Sequence, residues 1–215
     1  DLLGVTFILI ISSICLIIGL RYPDIKKIIF VGLSVRIIFL LINNYIIPLP
    51  DSGGDASTFE GEAFLMSQMG FSNLVSSFAG PGSKFLSWAI AILYSLTGRS
   101  VLMAKSISLF FGVGVVFFGW FVAREIWDKR SALKAGWILA LFPSLILYSC
   151  LTMREAYTSF FLVIALYGVI IFIKHRSIKS FILAMASFIC ATFFHGGMFL
   201  GAIVFLTIVG INSLK

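Results

Sequence analysis

The chain has 215 residues, of which 60% are hydrophobic and 12% charged, with a net charge of +7 and a mean hydropathy of +1.10. Soluble domains carry about 25% charged residues, so a soluble exterior is excluded: this much apolar side chain would form one sticky surface, whereas lipid accepts it. In such a chain the basic excess is read as Lys and Arg anchoring cytoplasmic loops, and no nucleic-acid partner is expected.

A helical crossing takes about 20 residues, so the length allows roughly seven or eight spans with their loops. Residues 2–20 are the first apolar run, followed by a short basic loop from Arg21 to Lys27. Residues 28–48 form the second run, with Arg36 inside it. Residues 49–83 are polar and hold four of the nine acidic residues: Asp51, Asp55, Glu60 and Glu62. Residues 85–97 are apolar but short, and 103–123 form a full-length run. A charged loop from Arg124 to Lys134 follows. The runs 135–150 and 156–173 are separated by Thr152-Met153-Arg154-Glu155. After a basic stretch at 174–179 come two short runs, 180–194 and 198–211, joined at His195-Gly196-Gly197. Cys15, Cys150 and Cys190 are scattered through apolar stretches, which fits small buried or lipid-facing residues and neither a disulfide framework nor a zinc site.

The basic loops 21–27, 124–134 and 174–179 should share the cytoplasmic side. Parity allows this only if 85–97 does not cross the membrane, and its 13 residues suit an interfacial or re-entrant segment. The expected fold is all-α: a polytopic transmembrane helical bundle of about seven spans, with juxtamembrane helices in the first large outer loop. Residues 1–215 form one transmembrane domain, with two spans in 1–48, the outer loop in 49–99 and five spans in 100–215. Eleven Lys and Arg, Lys215 among them, then lie inside and four outside. The chain starts without Met and stops just after an apolar run, as expected of a processed product or part of a longer protein. With this orientation the acidic loop, the Arg154-Glu155 break and His195-Gly196-Gly197 all fall on the outer face, as an active site at the outer membrane surface would.

Several residues could carry chemistry there. Asp55 follows Gly53-Gly54 and opens a helix on which Phe59, Ala63 and Met66 recur at helical spacing. It reads first as the start of an interfacial surface helix and, alternatively, as a positioned carboxylate. Lys84 could bind a lipid phosphate or simply snorkel. Arg154 and Glu155 are expensive near the membrane unless they face water or a polar cavity. His195 precedes two glycines in a tight turn, and Arg36 could meet an intramembrane acid or phosphate, or serve an internal structural pair. Nucleotide-binding loops and zinc-protease motifs are absent.

In this order the motifs resemble the GT-C membrane glycosyltransferases, in particular the protein-mannosyltransferase and aminoarabinose-transferase branch. Gly54-Asp55-Ala56, with Phe59 and Ala63, resembles the first outer loop of that family, where an Asp starts a juxtamembrane helix. Pro81-Gly82-Ser83-Lys84 with 85–97 resembles its Lys-Pro-Pro element and second juxtamembrane helix. Leu141-Phe142-Pro143-Ser144 through Tyr148-Ser149 to Glu155 resembles the stretch that ends in its second acidic residue. Residues 180–206, with His195-Gly196, resemble the following hairpin, where the family often has Lys-Gly. The match runs from about Asp51 to Leu206 and covers the family's N-terminal half. The chain departs from the pattern at Ala56, where a second acid is usual, and keeps only Pro81 of the Pro-Pro pair.

The resemblance implies a glycosyltransferase that moves a sugar from a polyprenyl-phosphate donor to an acceptor, in a bacterial inner membrane with its active face outward. Asp55 would be the general base, and Lys84, aided by Arg154, would neutralise the leaving phosphate. Glu155 would orient the acceptor or a divalent cation, with His195 at the substrate site. Asp55 and Glu155 are the candidate oxygen ligands for such a cation, magnesium or manganese in preference to zinc. Two other readings stay open: a polysaccharide repeat polymerase or ligase using lipid-linked sugars, and a non-catalytic membrane subunit of a larger complex.

Overall fold

A computed structural model describes residues 1–78, 80–82 and 84–213. Ser83, within the Pro81–Lys84 element, and Lys215 lie outside the described residues. Among the described residues the fold is entirely helical. The helices are α1 (Leu2–Arg21), α2 (Lys26–Tyr45), α3 (Asp55–Ser67), α4 (Phe71–Ser76), α5 (Phe85–Thr97), α6 (Val101–Ile126), α7 (Lys129–Leu141), α8 (Pro143–Ser149), α9 (Arg154–His175), α10 (Ile178–Phe194) and α11 (Phe199–Ser213). Four of them, α1, α2, α6 and α9, are long and apolar enough to cross a membrane, and α7 with α8 makes a fifth if that bent pair is one span. The apolar helices α5, α10 and α11 are shorter.

The bend between α7 and α8 is 55° and has a local cause. Pro143 has no backbone N–H and disfavours helical geometry at the residue before it. Phe142 is accordingly extended (φ −65°, ψ 119°), and Pro143 restarts the chain as the first residue of α8. The break leaves carbonyls at the end of α7 without helical partners. Arg36, fully buried on α2, takes them: its Nη1 donates to Ala140 O (2.8 Å) and its Nη2 to Leu139 O (3.2 Å). Nη1 also donates to Gly32 O, one turn back on α2. Of the roles open to Arg36, the structure shows an internal structural one, met by carbonyls and not by an acid.

Side-chain contacts fix which loops share an end of the bundle. Lys129 pairs with Asp24 (2.7 Å), and Lys174 pairs with Glu125. The turns 22–25, 127–128 and 176–177 therefore lie together, and all three basic stretches are at one end. At the opposite end, Tyr45 at the close of α2 donates to Asp1 (3.0 Å), and Lys105 near the start of α6 donates to Asn44 (3.2 Å). The chain between α2 and α6, with α3 to α5, thus leaves and re-enters the bundle at the same end.

The core is aromatic and tight. Trp120 is fully buried on α6, where Tyr22 and Phe121 pack edge-on against it. Gly168 lets α9 approach α10 so closely that a β-carbon there would sit 2.8 Å from the backbone nitrogen of Ala184. Small residues at such crossings let helices pack without lipid between them.

Candidate functional site

The site lies at the end of the bundle away from the basic loops. The chain breaks after α8, and Met153 is extended (φ −128°, ψ 141°) before α9 begins at Arg154. Glu155 in the first turn of α9 faces the positive end of the helix dipole, where a carboxylate is stabilised. α10 ends at His195, whose extended backbone (φ −148°, ψ 105°) leads through a 3-10 turn, Gly196–Met198, into α11. Because α9 and α10 are antiparallel neighbours, the start of one meets the end of the other. Arg154, Glu155, Thr158, Ser159, His195 and Met198 line one cavity of about 290 Å³. Three of the six residues singled out in the sequence therefore converge, although 40 positions separate Glu155 from His195.

Arg154 is half-buried, while Glu155 and His195 are exposed. The Arg154 guanidinium lies 5.0 Å from the centroid of the Phe59 ring, a cation–π arrangement. Two buried polar atoms of the cavity residues, Arg154 Nε and Thr158 Oγ1, have no hydrogen-bond partner among the described residues.

Asp55 and Lys84 are not on the lining of this cavity. Asp55 is the exposed first residue of α3, one turn before Phe59, and its side chain makes no capping hydrogen bond. Lys84 is the exposed residue preceding α5. The loop before it docks on the end of α10: Gly82 donates to Phe193 O (3.1 Å) with φ at +143°, a conformation that favours glycine. Phe85 then packs against Phe193 and Phe194 at 5.0 and 5.1 Å. Phe59 against Arg154 and Gly82 against Phe193 therefore bring the starts of α3 and α5 to the start of α9 and the end of α10. Among the described residues no group of three or more His, Cys, Asp or Glu is arranged to hold a metal ion.

A second, purely apolar cavity of about 320 Å³ adjoins this region, lined by Phe85, Leu93, Phe111, Tyr157, Phe161 and Phe194 among others. Tyr157 and Phe194 stack at 4.8 Å between the two cavities' elements.

The sequence reading missed a polar cluster beside the site. Glu60 is 7% exposed and accepts from Arg99 Nε (2.9 Å), Arg99 Nη2 (2.7 Å) and Tyr94 Oη (2.9 Å). Burial disfavours its charge, but these hydrogen bonds outweigh burial and hold the carboxyl below its ordinary range. The signal was present: Glu60 shares a helix face with Ala56, Phe59 and Ala63, and a carboxylate on an apolar face needs a partner.

No family model, no curated protein and no solved structure matches this chain.

Proposed function

We propose that this chain is a membrane glycosyltransferase that moves a sugar from a polyprenyl-phosphate donor to an acceptor at the membrane surface. The observation that carries the reading is the convergence of Arg154, Glu155 and His195 on one cavity, with buried polar atoms of Arg154 and Thr158 left unpartnered there. Ligand sites combine a concave space with a few convergent polar groups. The adjoining aromatic cavity would suit the isoprenoid part of such a donor.

In this reading Arg154, with Lys84 at the cavity's approach, neutralises the phosphate as it leaves. Asp55, one turn from the ring that carries Arg154, removes the proton from the acceptor. Glu155 and His195 orient the acceptor, and a divalent cation on Asp55 and Glu155 is one way to do so.

The same reading takes seven crossings: the four long helices, the bent pair, and α10 and α11. A 13-residue helix such as α3 or α5 is about 20 Å long, short of the roughly 30 Å hydrocarbon core, which fits juxtamembrane helices. With the basic loops together at the cytoplasmic end, the cavity faces outward. A bacterial inner membrane is the expected setting.

The test is transfer in proteoliposomes given a radiolabelled polyprenyl-phosphate sugar and a panel of lipid and peptide acceptors. Wild type should release polyprenyl phosphate and label an acceptor, and Asp55→Asn should lower the rate by about a hundredfold or more. Undiminished transfer by that variant, or none by wild type on any donor, would sink the proposal.

A further inference from the structure

We propose that a separate, small polar cavity around Lys105 binds a phosphate oxyanion. It has a volume of about 140 Å³ and is lined by Ser52, Ser57, Glu60, Lys105, Leu151 and Thr152 among others. At about 30 Å³ per liquid water, that is room for a phosphoryl group and little more. The inference does not depend on the transfer reaction above.

The charge balance of the cavity points to an anion. Glu60 is engaged by both guanidinium nitrogens of Arg99 and by Tyr94, so that pair is neutral as a unit. Lys105 is half-buried in the second turn of α6 and has no carboxylate within ion-pairing distance among the described residues. Its ammonium donates to Asn44 Oδ1 at 3.2 Å and keeps two further donors. Glu60, on the same lining, attracts Lys105, but with Arg99 bound to that carboxylate the three charges together leave an excess of +1, and a cation beside a membrane helix is costly unless something pairs with it.

The donor set fits the same ligand. Thr152 is 1% exposed, and its hydroxyl makes no hydrogen bond among the described residues. The Ser52 hydroxyl likewise makes none. Ser57 already donates to the carbonyls of Gly53 and Gly54. Lys105, Ser52 and Thr152 therefore all line a space of phosphoryl size, and charge-assisted bonds to phosphate are the strong kind.

The test is acylation of lysines by a succinimidyl ester in the full chain held in maltoside micelles, read at each lysine by mass spectrometry. Inorganic phosphate, farnesyl phosphate and acetate are the three additives. Phosphate species should slow acylation of Lys105 about tenfold or more, with no change at exposed Lys179. Slowing by both phosphates assigns the site to free phosphate, and slowing by farnesyl phosphate alone assigns it to a lipid headgroup. Either result supports the site. Thr152→Val should weaken the protection about fivefold. No slowing by either phosphate, equal slowing by acetate, or full protection in Thr152→Val would overturn the proposal.

Discussion

The guanidinium of Arg154 rests 5.0 Å from the centre of the Phe59 ring, which couples the first turn of α9 to the helix that Asp55 opens. The contact links two segments that are 95 residues apart in the chain. Phe59→Leu keeps an apolar side chain but removes the ring face, and the lost cation–π contact is worth about 1 kcal/mol. The expected result is a small fall in unfolding temperature and a larger fall in sugar transfer, because Arg154 loses its fixed position. Equal transfer by wild type and Phe59→Leu in the proteoliposome assay would remove Arg154 from the site.

Arg36 closes the break between α7 and α8 through the carbonyls of Leu139 and Ala140. Arg36→Met should leave those carbonyls unpaired in the core, at a cost of about 1–3 kcal/mol. Arg36→Lys should recover only part of this, since one ammonium lacks the planar fork that reaches both. Thermal unfolding of the purified chain in nanodiscs measures both variants.

Gly168 is where α9 and α10 come closest, and any side chain there would meet the backbone of Ala184. Gly168→Leu should push the helices apart and separate His195 from Arg154 and Glu155. A disulfide engineered between the start of α9 and the turn after α10 should form quickly in the parent and slowly in the Gly168→Leu background.

Glu60 gives a pH dependence with a definite sign. Its carboxyl is held below the ordinary value of 4.5, so its ion pair stabilises the fold fully above that value and is lost as pH falls through the lower, folded one. Wild type should therefore be more stable than Glu60→Gln near neutral pH, and the gap between their unfolding temperatures should close as pH drops below about 4.5. A gap that stayed constant to low pH would show that the ion pair adds nothing.

Local pattern carried much of the fold. The apolar run at 85–97 is helix Phe85–Thr97, Asp55 does begin a helix with Phe59 and Ala63 buried, and the polar break before Glu155 is where α9 starts. These features depend on residues within a turn or two of one another. Hydropathy makes 135–150 a single run because it is blind to the missing N–H of Pro143, which breaks it into α7 and α8. In the sequence Glu60 is one acid of a polar loop, because its partner, Arg99, lies 39 positions away. The meeting of Glu155 with His195 depends on the antiparallel packing of α9 and α10, whereas Asp55 and Lys84, placed with them by resemblance, sit outside the cavity lining.

The most direct measurement is photocrosslinking with a polyprenyl-phosphate sugar that carries a diazirine on the sugar ring, with adducts mapped by mass spectrometry in the full chain in membranes. Adducts are expected on residues 154–159 and 195–198, the two segments that line the Arg154 cavity, and should disappear when unlabelled donor competes. Adducts confined to other helices, or none that unlabelled donor displaces, would contradict a sugar-phosphate site in this cavity.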